Sequence, residues 1–191
     1  TARANEHKAL FRDDRDRKHF CEVLAEAVKR FGLRLHSWVL MDNHYHLLFE
    51  TPEANLSRAM QWLNVSYTVW FNRRHQRSGH LLQGRFKAIV VDPVGWGLEL
   101  SRYVHLNPVR VKGLGLDKAA RSASRIGAGP PASAQQVQER LKRLRSYRWS
   151  SYRAYIGLAP VPPWLTCKRV LELGGGRWQA EQRTSYRTWV E

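Results

Sequence analysis

Cysteine is scarce in this chain. The 191 residues contain only Cys21 and Cys167, which lie far apart, and neither belongs to a Cys-x-x-Cys pair. Disulfide-stabilised domains and thiolate zinc sites both need several suitably spaced cysteines. The sequence therefore argues against a disulfide scaffold and against a zinc site built from thiolates.

Acidic residues are also few. Asp and Glu number 16 against 32 Lys and Arg, which gives a formal net charge of +16 at pH 7. A large cationic excess favours a polyanionic partner, because neutralising phosphates releases counterions. Nucleic acid is the leading partner class, and an anionic membrane surface is the second.

Long apolar runs are absent as well. No stretch approaches the roughly 18 consecutive apolar residues of a membrane-spanning helix, and no signal-peptide pattern opens the chain. These absences predict a soluble, intracellular protein. Hydrophobic residues still make up 43% of the sequence, which is enough to form one hydrophobic core, either alone or with a small additional subdomain.

Apolar spacing predicts two helices and two strands in the first part of the chain. Phe20 to Phe31 follows the i, i+3, i+4 spacing of an amphipathic helix. Leu33 to Leu40 and His44 to Glu50 have the composition of two strands joined by a short hairpin loop. A second helical pattern runs from a possible N-cap at Asn55 to Arg74.

The next predicted elements are a strand at Gly84 to Asp92 (GRFKAIVVD) and a helix from about Val94 to Leu106, which ends before Asn107 and Pro108. If Thr1 to Asn5 is the end of a further strand, the order becomes strand, helix, strand, strand, helix, strand, helix. That order predicts an α+β fold of the split βαβ, ferredoxin-like type, with helices packed on one face of an antiparallel sheet.

The character of the sequence changes after Gly113. Residues Ala119 to Ala134 are rich in Ala, Ser, Gly and Pro and predict a mobile linker. Gln135 to Arg145 predicts a short basic helix, either a solvated surface helix or a DNA contact. In Arg145 to Gly157 arginines alternate with aromatic residues, which suits either base stacking or covering the open edge of the core. We therefore divide the chain into a core at 1–113, an inserted linker and basic helix at 114–146, and a C-terminal extension at 147–191.

Two histidines stand one residue apart at the start of a predicted strand. Successive strand side chains alternate in direction, so His44 and His46 project from the same face and both imidazoles can reach one ion. By itself the pair is a weak signal, because such histidines are more often surface or hydrogen-bonded residues than metal ligands. A metal site needs further ligands from another element.

The last predicted helix of the core carries a second set of candidate residues. Tyr103 and Asn107 are four residues apart and share a helix face, whereas His105 points elsewhere. A tyrosine beside a metal-bound phosphate can act as a nucleophile, but the ordinary role of a tyrosine is packing in the core. Asn107 precedes Pro108 and is equally suited to capping the helix end.

Four motifs in a fixed order make the chain recognisable: MDNHYHLLFETP, QGRFKAIVVD, SRYVHLNPVR and WSSYRAYIG. Together they resemble the REP-associated tyrosine transposases, bacterial relatives of the single-tyrosine insertion-sequence transposases in the HUH endonuclease superfamily. The resemblance covers residues 1 to about 113 and resumes at Tyr147, whereas residues 114–146 look like an insertion. It implies the HUH nuclease fold, which has the same split βαβ order.

The resemblance implies a role for each residue of the candidate site. His44 and His46 match the metal-binding pair, Tyr103 matches the nucleophilic tyrosine, and Asn107 matches the third metal-coordinating position. The implied cofactor is Mg²⁺ or Mn²⁺, and the implied partner is single-stranded DNA whose palindromic repeats fold into hairpins. A bacterial cytoplasmic, nucleoid-associated location is implied as well, and relatives occur both as monomers and as homodimers.

The implied reaction is a transesterification at a DNA phosphodiester. A bound divalent ion would polarise the scissile phosphate, and Tyr103 would become joined to the 5′ phosphate as a 3′ hydroxyl is released. His105 is a weak candidate for the base. Two other functions remain open: a nucleic-acid-binding module without catalysis, and a metal-dependent nuclease that uses activated water.

The candidate DNA contacts are basic residues that end the second predicted helix, that lie near the start of the strand at Gly84 to Asp92, or that alternate with aromatic residues. Each one is also suited to being a solvated surface residue, but together they predict a steep salt dependence of binding. The set comprises Arg73, Arg74, Arg77, Arg85, Lys87, Arg145, Arg148 and Arg153.

Overall fold

The computed structural model describes residues 1–128 and 131–191, and within them it contains a small antiparallel sheet and eight α-helices. The strands are β1 (Ala2–Arg3), β2 (Arg34–Leu40) and β3 (His44–Glu50). The helices are α1 (Asp14–Arg30), α2 (Leu56–Arg74), α3 (Pro93–Leu106), α4 (Lys118–Arg125), α5 (Ala134–Ser146), α6 (Tyr152–Tyr155), α7 (Lys168–Leu173) and α8 (Gln179–Val190). Short 3-10 turns lie at Asn5–His7, Asn107–Val109 and Lys112–Leu114.

Strand β3 lies in the middle of the sheet. The strand order is β1-β3-β2, and β3 is antiparallel to both neighbours, with Ala2 opposite Tyr45 and Val39 opposite His46. Because β1 and β2 are connected through α1 and enclose β3, the chain follows a split βαβ path. The predicted α+β class and the antiparallel sheet are confirmed.

The stretch Gly84 to Asp92, predicted as a strand, is not a regular strand. Lys87 donates its backbone N–H to the carbonyl of Thr1 at 2.9 Å, so the stretch follows the outer edge of β1 without forming a ladder. Ile89 and Val90 are 86% and 97% exposed. β-branched residues favour strands where their side chains pack against neighbours, and these two have almost no neighbours.

The helices lie on both faces of the sheet, so the prediction of a single helical face is wrong. Tyr45 of β3 packs against Phe20 of α1, with ring centroids 4.8 Å apart, and its hydroxyl donates to Asn64 of α2 at 2.6 Å. His46, the next residue of the strand, points to the opposite face and contacts Tyr103 of α3. Helical periodicity reveals a buried face but not the side of the sheet on which it docks.

A buried carboxylate joins α1 to α2. Asp16 is fully buried and accepts hydrogen bonds from the guanidinium of Arg74 and from the imidazole of His75, the latter at 2.9 Å. Arg74 also pairs with Asp13 at 2.7 Å. Arg74 therefore has a structural role between the two helices.

The C-terminal extension covers the edge of β2. Leu40 donates its N–H to the carbonyl of Trp149 at 2.9 Å, and Ser151 donates its N–H to the carbonyl of Trp38 at 3.0 Å. Backbone groups that an edge strand would leave exposed are thereby paired. Covering the core was one of the two roles predicted for Arg145 to Gly157.

The segment predicted as a mobile linker, Ala119 to Ala134, begins inside a helix. Helix α4 is capped by Asp117, whose carboxylate accepts the N–H of Ala120 at 2.9 Å. That part of the linker prediction is wrong, and Gly129 and Pro130 lie outside the described residues. The basic helix predicted next is confirmed as α5.

Replacing Arg74 with Ala should lower the free energy of unfolding, because the buried Asp16 carboxylate then keeps His75 but loses its guanidinium partner. Urea unfolding followed by circular dichroism measures the change. Arg73→Ala, at the exposed neighbouring position, is the control and should stay within about 0.5 kcal/mol of the unchanged protein. Equal losses for the two variants would contradict this role of Arg74.

Candidate active site

Strand β3 and helix α3 bring the predicted histidines and tyrosine together. The ring centroids of His44 and His46 lie 5.1 Å apart. Those of His46 and Tyr103 lie 5.6 Å apart, with the rings nearly perpendicular at 86°. Residues from two distant parts of the sequence therefore meet on the face of the sheet opposite to α1 and α2.

Tyr103 is the most exposed tyrosine of the chain. It is 42% exposed, whereas five of the seven tyrosines are at most 1% exposed. A tyrosine that serves the core is buried, as Tyr45 and Tyr186 are. The ordinary packing role does not fit Tyr103, and its ring is accessible to a large substrate.

The two imidazoles of β3 are held in their neutral form. Burial, and next the charge of Arg3, lower the pKa of His44. Burial is also the main cause that lowers the pKa of His46 to about 3. A neutral imidazole keeps a lone pair on one nitrogen, which is the form that binds metal ions.

The hydrogen bond of His44 defines which of its nitrogens is available. Nδ1 lies 2.7 Å from Oδ1 of Asn43. An amide oxygen only accepts hydrogen bonds, so Nδ1 carries the proton and Nε2 retains its lone pair. Metal-binding histidines characteristically donate their second ring nitrogen in this way, so the residues present fit a divalent cation.

Asn107 lies one turn after Tyr103, at the end of α3. Its Nδ2 donates to the carbonyls of Tyr103 at 2.8 Å and Val104 at 3.3 Å. The side chain therefore caps the helix, and its Oδ1 is the atom suited to a cation. Among the described residues, no group of three or more His, Cys, Asp or Glu gathers as a metal site, so a cation at the histidines needs amide, phosphate or water oxygens as well.

His105 is not placed to accept a proton from Tyr103. It is fully buried, with Nδ1 2.6 Å from the hydroxyl of Tyr186 and Nε2 2.7 Å from Oγ of Ser151. Burial lowers its pKa to about 3. Ser101, one turn earlier, also contacts the Tyr186 hydroxyl, at 2.5 Å. The buried side of α3 is thus tied to the C-terminal extension while Tyr103 faces β3.

Arg110 belongs to the site although the sequence did not predict it. Its guanidinium carbon lies 4.6 Å from the centre of the Tyr103 ring, and its Nη1 donates to the Tyr103 carbonyl at 3.4 Å. The turn at Asn107–Val109 folds it back onto the helix. Its position at the end of the motif SRYVHLNPVR is a sequence signal for a role in the site. The spacing of residues along the sequence, however, does not predict the turn that brings Arg110 back to Tyr103.

An apolar cleft of about 650 Å³ opens beside Tyr103 and His46. It lies between β3, α3 and the segment 86–91, and its lining includes Leu48, Phe86 and Val104 together with His46 and Tyr103. The volume falls in the range of ligand-binding pockets. The predicted tyrosine and one predicted histidine therefore line an apolar cleft.

Four of the predicted DNA-contacting residues are exposed. They are Arg73, Arg85, Lys87 and Arg148. Lys87 lines the cleft, and Arg148 is 3.5 Å from a carboxylate oxygen of Asp14. Exposed cations of this kind are available to phosphates.

The other four predicted contacts are engaged within the chain. Arg74 is held by the α1 carboxylates described above, and Arg145 pairs with Glu191 through Nε at 2.8 Å. Arg77 lies over the ring of Phe71 at 5.8 Å. Arg153 donates to a backbone carbonyl at 3.3 Å. The charges of Arg74 and Arg145 are thus compensated by carboxylates.

The comparison with protein families identifies the class of the chain. A family model described as "Transposase IS200 like" matches residues 2–107, a range that begins at β1 and ends at Asn107. The chain is therefore a transposase, a protein that acts on DNA to move segments of it. Since the match covers more than half of the 191 residues, the chain belongs to the IS200-like transposase family.

The other comparisons add no relative. No curated protein and no solved structure matches the chain. Transposases of this family generally depend on divalent metals, which agrees with the donor atoms of the histidine pair. No helix in residues 1–128 and 131–191 has the length and apolar character needed to cross a membrane.

Removing the hydroxyl of Tyr186 should loosen α3. Tyr186→Phe leaves Ser101 and His105 buried with one partner fewer each, so we expect a loss of about 2 kcal/mol in unfolding free energy and faster amide hydrogen exchange in α3. Tyr147→Phe is the control, because it also removes a tyrosine hydroxyl, but one that donates to the Leu40 carbonyl of β2 and not to α3. If α3 exchanges equally slowly in both variants, Tyr186 does not anchor the helix.

Proposed function

We propose that the chain is a metal-dependent single-stranded DNA endonuclease and strand transferase that cleaves at or near palindromic repeat hairpins through a 5′-phosphotyrosine intermediate. The observation that carries the proposal is the contact of Tyr103 with His46 beside His44. Membership of the IS200-like transposase family supports DNA cleavage and joining in general. The residue roles are our assignment.

Tyr103 is the nucleophile in this proposal. Its phenolic oxygen attacks the phosphorus of a DNA phosphodiester, and the bond from phosphorus to the 3′ oxygen breaks. Reversal of the same step, with the 3′ hydroxyl of another strand as the nucleophile, joins DNA without ATP. The exposure of Tyr103 supports this role, since a long polymer cannot reach a buried hydroxyl.

In this proposal His44 and His46 would hold the divalent cation, Mg²⁺ or Mn²⁺, and Asn107 would supply the third protein ligand. A bound cation would polarise the scissile phosphate and stabilise the charge that develops on it. The hydrogen bond from His44 to Asn43 fixes the orientation of one imidazole. Imidazole favours Mn²⁺, whereas the amide and phosphate oxygens also suit Mg²⁺.

The substrate is single-stranded DNA with hairpins. Unpaired bases next to the scissile phosphate can enter the apolar cleft, whereas bases stacked in a duplex cannot. Arg73, Arg85, Lys87 and Arg148 are the exposed cations best suited to the phosphates, and Arg77 and Arg153 are weaker candidates. The C-terminal WSSYRAYIG segment supports the narrower placement among REP-associated tyrosine transposases.

Residues 1–113 form the nuclease core of the HUH type in this proposal. The segment at 81–87 supports this assignment, because it is hydrogen-bonded to the edge of β1 at which a ferredoxin-like order has its fourth strand. Residues 114–146 are an insertion, and 147–191 brace the core. Because His46 and Tyr103 of one chain meet, a monomer contains the site, and a homodimer is compatible with it.

Changing Tyr103 to Phe should abolish the covalent protein–DNA adduct while leaving hairpin binding within about twofold, because only the attacking oxygen is removed. Labelled hairpin oligonucleotides, Mn²⁺ and a denaturing gel measure the adduct. Tyr147→Phe is the matched control and should form it normally.

The same gel separates the rival functions. Binding without any adduct or cleavage by the unchanged protein would favour a nucleic-acid-binding module. Cleaved DNA without an adduct would favour a nuclease that uses activated water. An adduct that persists in Tyr103→Phe would refute the assignment of the nucleophile.

Loss of one imidazole should impair metal binding and adduct formation together. We expect His46→Ala to weaken Mn²⁺ binding, measured by electron paramagnetic resonance, by more than about 10- to 100-fold, the loss that follows when only an outer-shell partner of a ligand is changed. Chelation with EDTA should stop adduct formation in the unchanged protein. His80→Ala, at an exposed position, is the control. Equal Mn²⁺ affinity in the two variants would place the metal elsewhere.

A further inference from the structure

Arg110 lies against the tyrosine that the proposed reaction uses as its nucleophile. Its guanidinium covers the ring of Tyr103 at 4.6 Å, and that ring contacts the imidazole of His46, with ring centroids 5.6 Å apart. Its backbone is held by a hydrogen bond from its N–H to the Asn107 carbonyl at 3.1 Å. The position is therefore defined by the end of α3.

Arg110 is partly buried, and burial is the main cause that lowers its pKa. In the described part of the chain, no carboxylate lies within 4.0 Å of the Arg110 guanidinium. A partly buried guanidinium without a paired carboxylate favours the binding of an anion.

We propose that Arg110 is a further catalytic residue, which binds the non-bridging oxygens of the scissile phosphate. The proposal rests on the proposed function. It extends beyond the family match, which ends at residue 107.

The guanidinium has the right chemistry for this role. Its planar donors match phosphate oxygens, and the group stays charged. As the phenolic oxygen of Tyr103 bonds to phosphorus, the bond to the 3′ oxygen breaks. The phenol releases its proton to water, and the leaving oxygen takes one up. Negative charge accumulates on the non-bridging oxygens meanwhile, so a preorganised cation beside them stabilises the transition state.

A purely structural role for Arg110 is the alternative. Its donation to the Tyr103 carbonyl caps the end of α3, as basic residues often do. Such a cap would not depend on the charge of the substrate. The two roles are therefore separated by changing the phosphate rather than the protein alone.

The test combines arginine variants with a substrate whose scissile phosphate is replaced by an uncharged methylphosphonate. On the natural phosphodiester, Arg110→Ala should slow adduct formation by about 100- to 1,000-fold, and Arg110→Lys should fall in between because it keeps the charge but not the planar fork. On the methylphosphonate, Arg110→Ala and the unchanged protein should differ by less than about fivefold, because no anion remains to neutralise.

Arg143→Ala is the matched control, because Arg143 covers the ring of Tyr147 at 5.3 Å in the same manner but in another part of the fold. It should react normally. If the unchanged protein forms no adduct, the proposed function fails. If it does and Arg110→Ala slows both substrates equally, or neither, the phosphate-binding role of Arg110 is wrong.

Discussion

The alternation of side chains along β3 is the constraint on which the rest of the structure depends. Tyr45 is locked into the core by Phe20 and by its hydrogen bond to Asn64. Because neighbouring strand residues point to opposite faces, His44 and His46 must then face α3. A register shift of one residue would reverse every side chain of the strand and bury the histidines under α1 and α2. The packing of one aromatic residue therefore sets the direction of the candidate metal ligands.

The second requirement is that α3 stays docked on the same face as the histidines. Ser101 and His105, on its buried side, share the hydroxyl of Tyr186, and His105 also contacts Ser151. Buried polar groups cost free energy when they lack hydrogen-bond partners. All three side chains find partners only when the helix is docked in this position, so the network specifies that position. The family match ends at Asn107, yet the residues that brace α3 and cover the edge of β2 come from the C-terminal extension. The reacting groups and their support thus lie in different parts of the chain.

The sequence predicted elements better than it predicted their arrangement. Apolar periodicity located α1 and α2, because a helix that buries one face must repeat its apolar residues. The boundary before Pro108 located α3, and the basic pattern of residues 135–145 located α5. It misjudged Gly84 to Asp92, since β-branched composition was taken as strand formation although Ile89 and Val90 have almost nothing to pack against. It also placed all helices on one face and missed α4, where the cap by Asp117 outweighs a composition typical of a linker. For the site, it indicated His44, His46 and Tyr103 but not Arg110.

What the sequence determined by itself is chemical and local: a strongly basic chain, the direction shared by two histidines in a strand, and the helix face shared by Tyr103 and Asn107. These follow from charge count and from the fixed periods of strand and helix, which need no knowledge of distant residues. Only the tertiary structure decided that His46 meets Tyr103, that Arg110 folds back over the phenol ring, and that His105 is enclosed by Tyr186 and Ser151. Contacts of that kind depend on which faces of the helices and strands pack together and on how turns redirect the chain. The residue periods of a single helix or strand do not predict either of these.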